Sequence, residues 1–205
     1  MVRSYSKFKY EDLAELGIQV REKTFLDVQN IAELEPTEFL NTTLERNQKR
    51  RLRSEKAKSE FIIAPILAEM EDRNKEHFVC YSGYNFNVDA QRGLRGFCDY
   101  VLSLEPHAFN IEAPVFCIVE SKNEDLESGI PQCVAEMFAA KLFNVQKGQN
   151  IPIIYGAVTF GFQWKFVRLI DDEAQVDTHI FYLVQLSKLL GALQYIIDKS
   201  VKSKP

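Results

Sequence analysis

The sequence predicts an α/β fold in which a mixed central sheet is flanked by helices. Residues 115–119 and 151–160 are short apolar runs rich in β-branched and aromatic residues, which is typical of strands buried on both faces. Between them, residues 131–146 have the apolar spacing of a helix. Placing the two strands side by side gives a β-α-β crossover, in which the helix packs on the sheet.

Composition is typical of a soluble globular protein. The chain has 205 residues, of which 46% are hydrophobic and 26% charged, and its formal net charge is -4. We expect one domain over residues 1–205, with residues 1–45 as an N-terminal extension packed on the core. The sequence contains no apolar run of membrane-spanning length and no signal peptide, so we expect no membrane partner. The four cysteines form no CxxC pair, which favours reduced core thiols and a cytoplasmic location.

The remaining elements follow from periodicity and turn residues. Residues 8–16 predict a short helix ending at Gly17, 18–27 a strand, and 36–44 a second helix. A helix through residues 59–67 contains Pro65, which should kink or divide it. Residues 76–89 predict a strand bent at Gly83, and residues 96–102 a second strand. After residues 151–160 we expect an edge-side strand at 164–170, a last strand at 175–182 and a helix over 183–197.

The chemically informative stretch begins where the 115–119 strand ends, at Glu120-Ser121-Lys122. Side chains alternate along a strand, so Glu120 and Lys122 share one face and Ser121 takes the other. A buried strand that carries a carboxylate and an ammonium to one side is costly unless they pair or bind something. These charges therefore predict either a buried ion pair or a functional site.

A second acid, Asp99, lies among apolar neighbours in the 96–102 strand. If the two strands form an antiparallel hairpin centred near Phe109 and Asn110, Asp99 lies opposite Glu120; a shift of one residue would change the face. Two carboxylates with room for water and phosphate make a plausible Mg²⁺ site. A lysine beside them could orient a water or stabilise developing negative charge.

Asp99 followed by Glu120-x-Lys122 after an apolar strand resembles the core of the PD-(D/E)XK nuclease superfamily, in a bacterial and cyanobacterial branch. The resemblance covers residues 59–169, and Cys98 stands where the family usually has proline before the aspartate. It implies a restriction-endonuclease-like sheet and a metal-dependent nuclease. Mg²⁺, with Mn²⁺ as a substitute, would be bound by Asp99, Glu120 and the Ser121 carbonyl, beside Lys122 as the catalytic lysine.

The resemblance also implies two helical site residues. The first core helix of the family supplies an acid that faces the site, which matches Glu60, with Glu55 as the runner-up. Alternatively, Glu60 is an exposed acid paired with Lys56 at i-4. The family also has a glutamine that faces the site on the helix after the ExK strand, and Gln132 matches it. Alternatively, Gln132 is simply a polar residue at a helix end without a role in the site. Glu136 shares its face at i+4 and is a weaker candidate.

The most basic stretch, residues 46–58, carries seven Lys or Arg residues and one acid, Glu55. Charge runs are usually solvated helix faces, but Arg50, Arg51 and Arg53 are also candidates for phosphate contact. In the loop before the Asp99 strand, Arg92 and Arg95 are weaker candidates, since a simple exposed loop is the commoner arrangement.

These observations predict a Mg²⁺-dependent nuclease that hydrolyses DNA phosphodiester bonds, with a homodimer as one assembly that the sequence allows. One alternative is a catalytically inactive module that keeps the fold and binds nucleic acid or a protein partner, which the acidic overall charge favours weakly. Another is a metal-free ion network of Asp99, Glu120 and Lys122 with a structural role.

Overall fold

A computed structural model describes residues 3–123 and 125–205. Its centre is a mixed seven-stranded sheet with the strand order β1-β7-β6-β5-β4-β3-β2. The strands are β1 (Gln19–Glu22), β2 (Val79–Asn85), β3 (Phe97–Ser103), β4 (Val115–Ser121), β5 (Ile153–Thr159), β6 (Gln163–Ile170) and β7 (Glu173–Tyr182). The pairs β1–β7 and β4–β5 are parallel, and the other neighbouring pairs are antiparallel.

Helices flank this sheet. They are α1 (Tyr10–Glu15), α2 (Glu38–Gln48), α3 (Glu55–Lys58), α4 (Ala64–Arg73), α5 (Ile130–Gln146) and α6 (Leu186–Lys202). Short 3-10 turns lie at Tyr5–Lys7, Glu127–Gly129 and Leu183–Gln185, and a π-helical turn, Ser59–Ile63, joins α3 to α4. The general α/β prediction is therefore confirmed. None of the helices in the described ranges is long and apolar enough to cross a membrane.

The centre of the sheet agrees with the sequence. All seven residues of β4 are buried, as expected for a strand covered on both faces. Its parallel pairing with β5, and α5 packed on both strands, confirm the predicted crossover. Gly156 allows α5 to lie close, because a Cβ there would be only 2.4 Å from Met137 Sδ. This packing brings the first turns of α5 close to the end of β4.

The predicted edge-side position of residues 164–170 is wrong. β6 lies in the interior of the sheet between β5 and β7, and the two edges are β1 and β2. β7 pairs along β6, and β1 then adds in parallel to β7 from more than 150 residues away in the chain. Such a long-range parallel pairing has no local sequence signal. The last helix, α6, also begins and ends later than predicted.

Pro65 divides the helix, as predicted, and the structure gives the mechanism. Proline has no N–H, so the carbonyl four residues before it, at Phe61, loses its helical partner. The Asn47 side chain of α2 donates instead to Phe61 O at 2.8 Å. Just upstream the helix widens into the π turn, in which the Ala64 N–H donates to Ser59 O. π turns often occur at functional sites, and this one borders the cleft described below.

The N-terminal segment is integrated with the sheet. α1 is shorter than the predicted helix over residues 8–16 and ends at Glu15, and Gly17 follows it with the predicted role of a helix-terminating glycine, since its φ of +81° favours glycine. β1 then extends the sheet at β7. Leu13, Leu26 and Leu40 from this segment are fully buried in the main core.

Candidate active site

Asp99 and Glu120 meet at the end of the β3–β4 pair. The strands pair with Tyr100 opposite Val119 and Val101 opposite Ile118, and one further step in this register places Asp99 opposite Glu120. The predicted hairpin register is therefore confirmed at this end, although it shifts between Leu102 and Ser103 nearer the connection. The Ser121 N–H donates to Asp99 Oδ2 at 2.7 Å, which fixes the Asp99 carboxylate beside β4.

Lys122 joins the end of β4 to α5. Its Nζ donates to Glu120 Oε1 at 2.6 Å and to Gln132 Oε1 at 2.9 Å. The Gln132 amide in turn donates through Nε2 to Glu136 Oε1 at 3.0 Å. Gln132 and Glu136 lie one turn apart on α5, and so point to the same side of that helix. The structure thus brings Glu120, Lys122, Gln132 and Glu136 into one connected network.

Three buried oxygen atoms near this network have no hydrogen-bond partner among the described residues. They are Glu120 Oε2, Ser121 Oγ and Glu136 Oε2. Glu120 is 2% exposed and Glu136 is fully buried, so bulk solvent does not reach these two carboxylates. Leaving a buried polar atom unpaired is costly, and such atoms call for a bound proton, water, ion or ligand.

The acids of the cluster resist ionisation. Burial raises the pKa of Glu120, and the nearby Asp99 charge raises it further, against the opposing effect of Lys122. Burial also raises the pKa of Asp99 and, together with the Glu120 charge, that of Glu136. The same negative charges favour the protonated form of a neighbouring lysine.

Lys122 stays protonated within this cluster. Burial by itself lowers the pKa of Lys122, but the charge of Glu120 and its hydrogen bond, with Glu55 and Asp99, more than compensate and raise it. One ammonium therefore faces three acids, Asp99, Glu120 and Glu136. Burial, together with repulsion among the acids, favours retention of a proton on the carboxyl groups. A divalent cation would supply that charge.

A cleft with a cavity volume of about 430 Å³ opens beside Asp99 and Ser121. Its other walls come from α3, the π turn and the first residue of α4, and from β2 and β3. They include Glu55, Lys56, Ser59, Glu60, Ala64, Ser82, Gly83 and Tyr100. The Tyr100 hydroxyl and Ser59 Oγ are 2.6 Å apart, which links the π turn to β3. The cleft therefore opens the Asp99 side of the cluster to solvent.

The two candidate helical acids lie in different surroundings. Glu60 lines the cleft, but its side chain is 56% exposed and lies 3.7 Å from Lys56 Nζ, the pair expected under the bland interpretation. Glu55 also lines the cleft, and its charge raises the pKa of both Glu120 and Lys122. Glu55 is therefore the helical acid with the stronger electrostatic effect on the network.

The basic candidates divide into two groups. Arg50, Arg51 and Arg53 are exposed in the segment between α2 and α3. Arg50 is held there by Asn47 Oδ1 at 2.9 Å and by the Phe61 ring, whose centroid is 4.7 Å away. Arg95 lies against the N-terminal segment, where its Nε donates to Arg3 O at 3.4 Å, and it does not line the cleft.

One residue near the site was missed by the sequence analysis except as part of a charge run. Lys58 is buried at the end of α3, and its Nζ donates to Asn123 O and, at 3.2 Å, to Asn123 Oδ1. It also lies 5.5 Å from the centroid of the Phe160 ring. Lys58 therefore holds the residue that follows Lys122. No local pattern distinguishes it from its exposed neighbours, because its burial depends on how α3 packs.

The residues fit a magnesium site of limited protein ligation. In the described part of the chain, no group of three His, Cys, Asp or Glu side chains is arranged to hold a metal ion. Mg²⁺, however, usually takes only one or two carboxylates and completes its shell with water and substrate phosphate. The unpartnered Glu120 Oε2 and the cleft-lining Asp99 suit that role.

Comparison of the chain with protein-family models and with curated proteins finds no significant match.

Proposed function

We propose that this protein is a Mg²⁺-dependent nuclease of the PD-(D/E)XK type, with a restriction-endonuclease-like fold, that hydrolyses DNA phosphodiester bonds. The observation that carries the proposal is the Glu120 carboxylate. One of its oxygens receives the Lys122 ammonium at 2.6 Å, and the other is buried without a partner beside Asp99. A buried carboxylate oxygen without a protein partner, next to a second carboxylate, offers a ligand position for a metal ion.

The metal would be held by Asp99, Glu120 and the Ser121 carbonyl, with water and phosphate oxygens in the remaining positions. When bound, the ion would polarise the phosphate and lower the pKa of a bound water. Manganese would substitute, because it accepts the same oxygen ligands.

Lys122 is the residue that we assign to the attacking water and to the developing charge. Its ammonium is held between Glu120 and Gln132, so it is positioned before substrate binds. The raised pKa of Lys122 keeps it cationic, which favours orientation of the water and stabilisation of phosphate charge over proton abstraction by the lysine itself.

The remaining polar residues position Lys122 and the metal. Gln132 holds Lys122 on one side and is itself held by Glu136 on the other. Glu60 or Glu55, on the wall of the cleft, would hold a water bound to the metal. Cleavage rates of Glu55→Gln and Glu60→Gln would show which of the two acids has this role.

DNA would approach across the cleft. Arg50, Arg51 and Arg53 are exposed near the α3 wall and would contact backbone phosphates, with Arg95 as a more remote contact. The proposal includes a reducing, cytoplasmic location, which the four free cysteines support. A homodimer would allow both strands of a duplex to be cut.

The test combines metal binding with cleavage on the same samples. Mg²⁺ and Mn²⁺ are titrated calorimetrically into the wild type and an Asp99→Ala/Glu120→Ala variant, and plasmid cleavage is then assayed. We expect binding and metal-dependent cutting by the wild type, with both lost in the variant. A Glu38→Ala/Glu45→Ala variant is the matched control, because it removes two exposed acids of α2.

The outcomes separate the alternatives. Metal binding and DNA binding without cutting would favour the inactive module that binds nucleic acid. Absence of metal binding by the wild type, with DNA present, would contradict the nuclease and favour the metal-free ion network. Equal cutting by the wild type and the Asp99→Ala/Glu120→Ala variant would place any activity elsewhere.

A further inference from the structure

Lys165 is a second buried cation on the sheet. The residue is 8% exposed and lies on β6, in line with Val158 of β5 and Glu120 of β4. Residues that lie in line across neighbouring strands project to the same face, so Lys165 and Glu120 share the face on which α5 packs. Neighbouring strands are about 4.8 Å apart, so the backbones of Glu120 and Lys165, which are two strands apart, are separated by about 10 Å.

Lys165 has few partners in the described part of the chain. Its one salt bridge there is to Glu22 Oε1 at 3.9 Å, and Glu22 is 72% exposed at its side chain. The Lys165 stem is buried, but its ammonium nitrogen is open to solvent and forms no hydrogen bond with a described residue. The arrangement leaves Lys165 able to bind an anion.

The ammonium borders a cavity of about 400 Å³. Besides Lys165, Arg21 of β1 and Tyr10 of α1 line this cavity, which we name the Lys165 cavity. Glu22 and Glu127 also line the cavity, and their negative charges oppose the binding of an anion. Both residues are exposed, so solvent weakens this repulsion more than it would for buried acids. The cavity is large enough for a phosphate group with its water.

The N-terminus of α5 lies on the same cavity. Ile130, its first residue, lines the wall, and the helix start has no side-chain cap and no acid in its first turn. The dipole of this 17-residue helix favours negative charge at that end. Lys165 and the helix start therefore both favour negative charge in this cavity.

We propose that the Lys165 cavity binds a backbone phosphate of DNA, with the Lys165 ammonium as its main contact; this inference rests on the proposed function for the identity of the anion. The DNA backbone would pass over the start of α5, between the cleavage site and this second contact.

The test is the salt dependence of DNA binding by Lys165→Met, which keeps most of the side-chain volume. Affinity for a short fluorescent duplex is measured by anisotropy without a cleaving metal, over a series of salt concentrations. Each phosphate contact contributes about 0.9 to the slope of log affinity against log salt, so we expect the slope to fall by about 0.9. Lys188→Met is the matched control on α6, since Lys188 is 46% exposed and lies 4.0 Å from Glu33; its slope should equal that of the wild type. Lys165→Arg should keep the slope.

A second measurement needs no substitution. Reductive methylation of the wild type, followed by mass spectrometry, should show that duplex DNA slows modification of Lys165 but not of Lys188. Inorganic phosphate alone is the probe for simple anion binding, and it should protect Lys165 less than the duplex does. This measurement decides the matter if Lys165→Met fails to fold.

The result distinguishes this inference from the proposed nuclease. An unchanged slope for Lys165→Met, or no protection of Lys165, in a protein that cuts DNA would overturn the phosphate site and leave the nuclease intact. A Lys165-dependent slope in a protein that binds metal but never cuts would support the phosphate site and contradict the nuclease. Absence of any DNA binding would contradict both.

Discussion

Two buried carboxylates of this protein have opposite surroundings. Asp177 on β7 is fully buried, and both of its oxygens are used: Oδ2 accepts from the N–H groups of Phe25 and Leu26 at 2.8 and 2.7 Å, and Oδ1 accepts from the His179 N–H at 2.8 Å. Glu120, almost as buried, has one oxygen paired with Lys122 and one without a described partner.

The difference indicates that Asp177 stabilises the fold, whereas Glu120 has an oxygen available to bind a ligand. Asp177 ties the segment after β1 to the sheet, and its hydrogen bonds leave no oxygen for a ligand. Glu120 is left with binding capacity that the fold does not use. A buried acid that is fully satisfied should matter for stability, whereas one with an unpaired oxygen should matter for activity.

The strongest test of this contrast is Lys122→Met. We expect the cleavage rate to fall by about 10³-fold, the upper end of what is lost when one donor aimed at developing negative charge is removed. The free energy of unfolding should change little, because the neighbouring carboxyl groups can hold a proton instead. Single-turnover cleavage and urea unfolding of the same sample measure the two effects, and wild-type cleavage by the variant would remove Lys122 from the proposed mechanism.

Asp177→Ala should give the reverse pattern. It leaves the N–H groups of Phe25 and Leu26 without an acceptor, so we expect the free energy of unfolding to fall by about 3 kcal/mol. The folded fraction should cleave at the wild-type rate. Asp177→Asn keeps one acceptor oxygen and should lose less. A stability loss below about 0.5 kcal/mol, the usual size of a surface effect, would show that this carboxylate is not the structural tie we infer.

Glu136→Gln should change the pH dependence of stability. Because the folded-state pKa of Glu136 is raised above the ordinary value of 4.5, the native state keeps a proton that the unfolded chain releases. Stability from this group is fully present below pH 4.5 and is lost as pH rises toward the folded pKa, by at most about 1.4 kcal/mol per pH unit.

The glutamine variant lacks this titration. Measured by urea unfolding from acid to alkaline pH, the wild type should lose stability relative to Glu136→Gln, and the variant should be the more stable protein at alkaline pH. Parallel curves for the two proteins would mean that Glu136 ionises normally.

The smallest expected effect is the difference in cleavage rate between Glu55→Gln and Glu60→Gln. Glu55 acts electrostatically on Glu120 and Lys122, whereas Glu60 pairs with Lys56, so Glu55→Gln should slow cleavage about threefold and Glu60→Gln less. Exposed charges rarely exert more than about 1 kcal/mol, which limits the size of either effect. Cleavage rates at matched metal concentration measure it, and a larger loss in Glu60→Gln would restore the assignment made from the resemblance.

The sequence predicted the local parts of the site and not the long-range parts. The strand pattern placed Glu120 and Lys122 on one face, and a simple hairpin centre placed Asp99 opposite Glu120, because strand alternation and register are short-range rules. Gln132 came from the resemblance and does contact Lys122.

What could not be predicted depends on packing between distant segments. The burial of Lys58 and Lys165 requires the positions of α3 and β1, which no local pattern gives. The interior position of β6 likewise follows from the addition of β7 and β1 to its far side. Glu136 was only a weaker candidate, since the depth at which α5 docks decides its complete burial.

The π turn at Ser59–Ile63 has a consequence for evolution of the cleft wall. An α-helix rotates by about 100° per residue, so one extra residue in a turn rotates everything upstream by that angle relative to everything downstream. The turn thus sets the angular phase of Glu55 and Lys58 against α4. Pro65 and Asn47, which surround this irregularity, control that phase without touching a ligand, and changing them together would be a way to turn a different side of α3 toward the cleft.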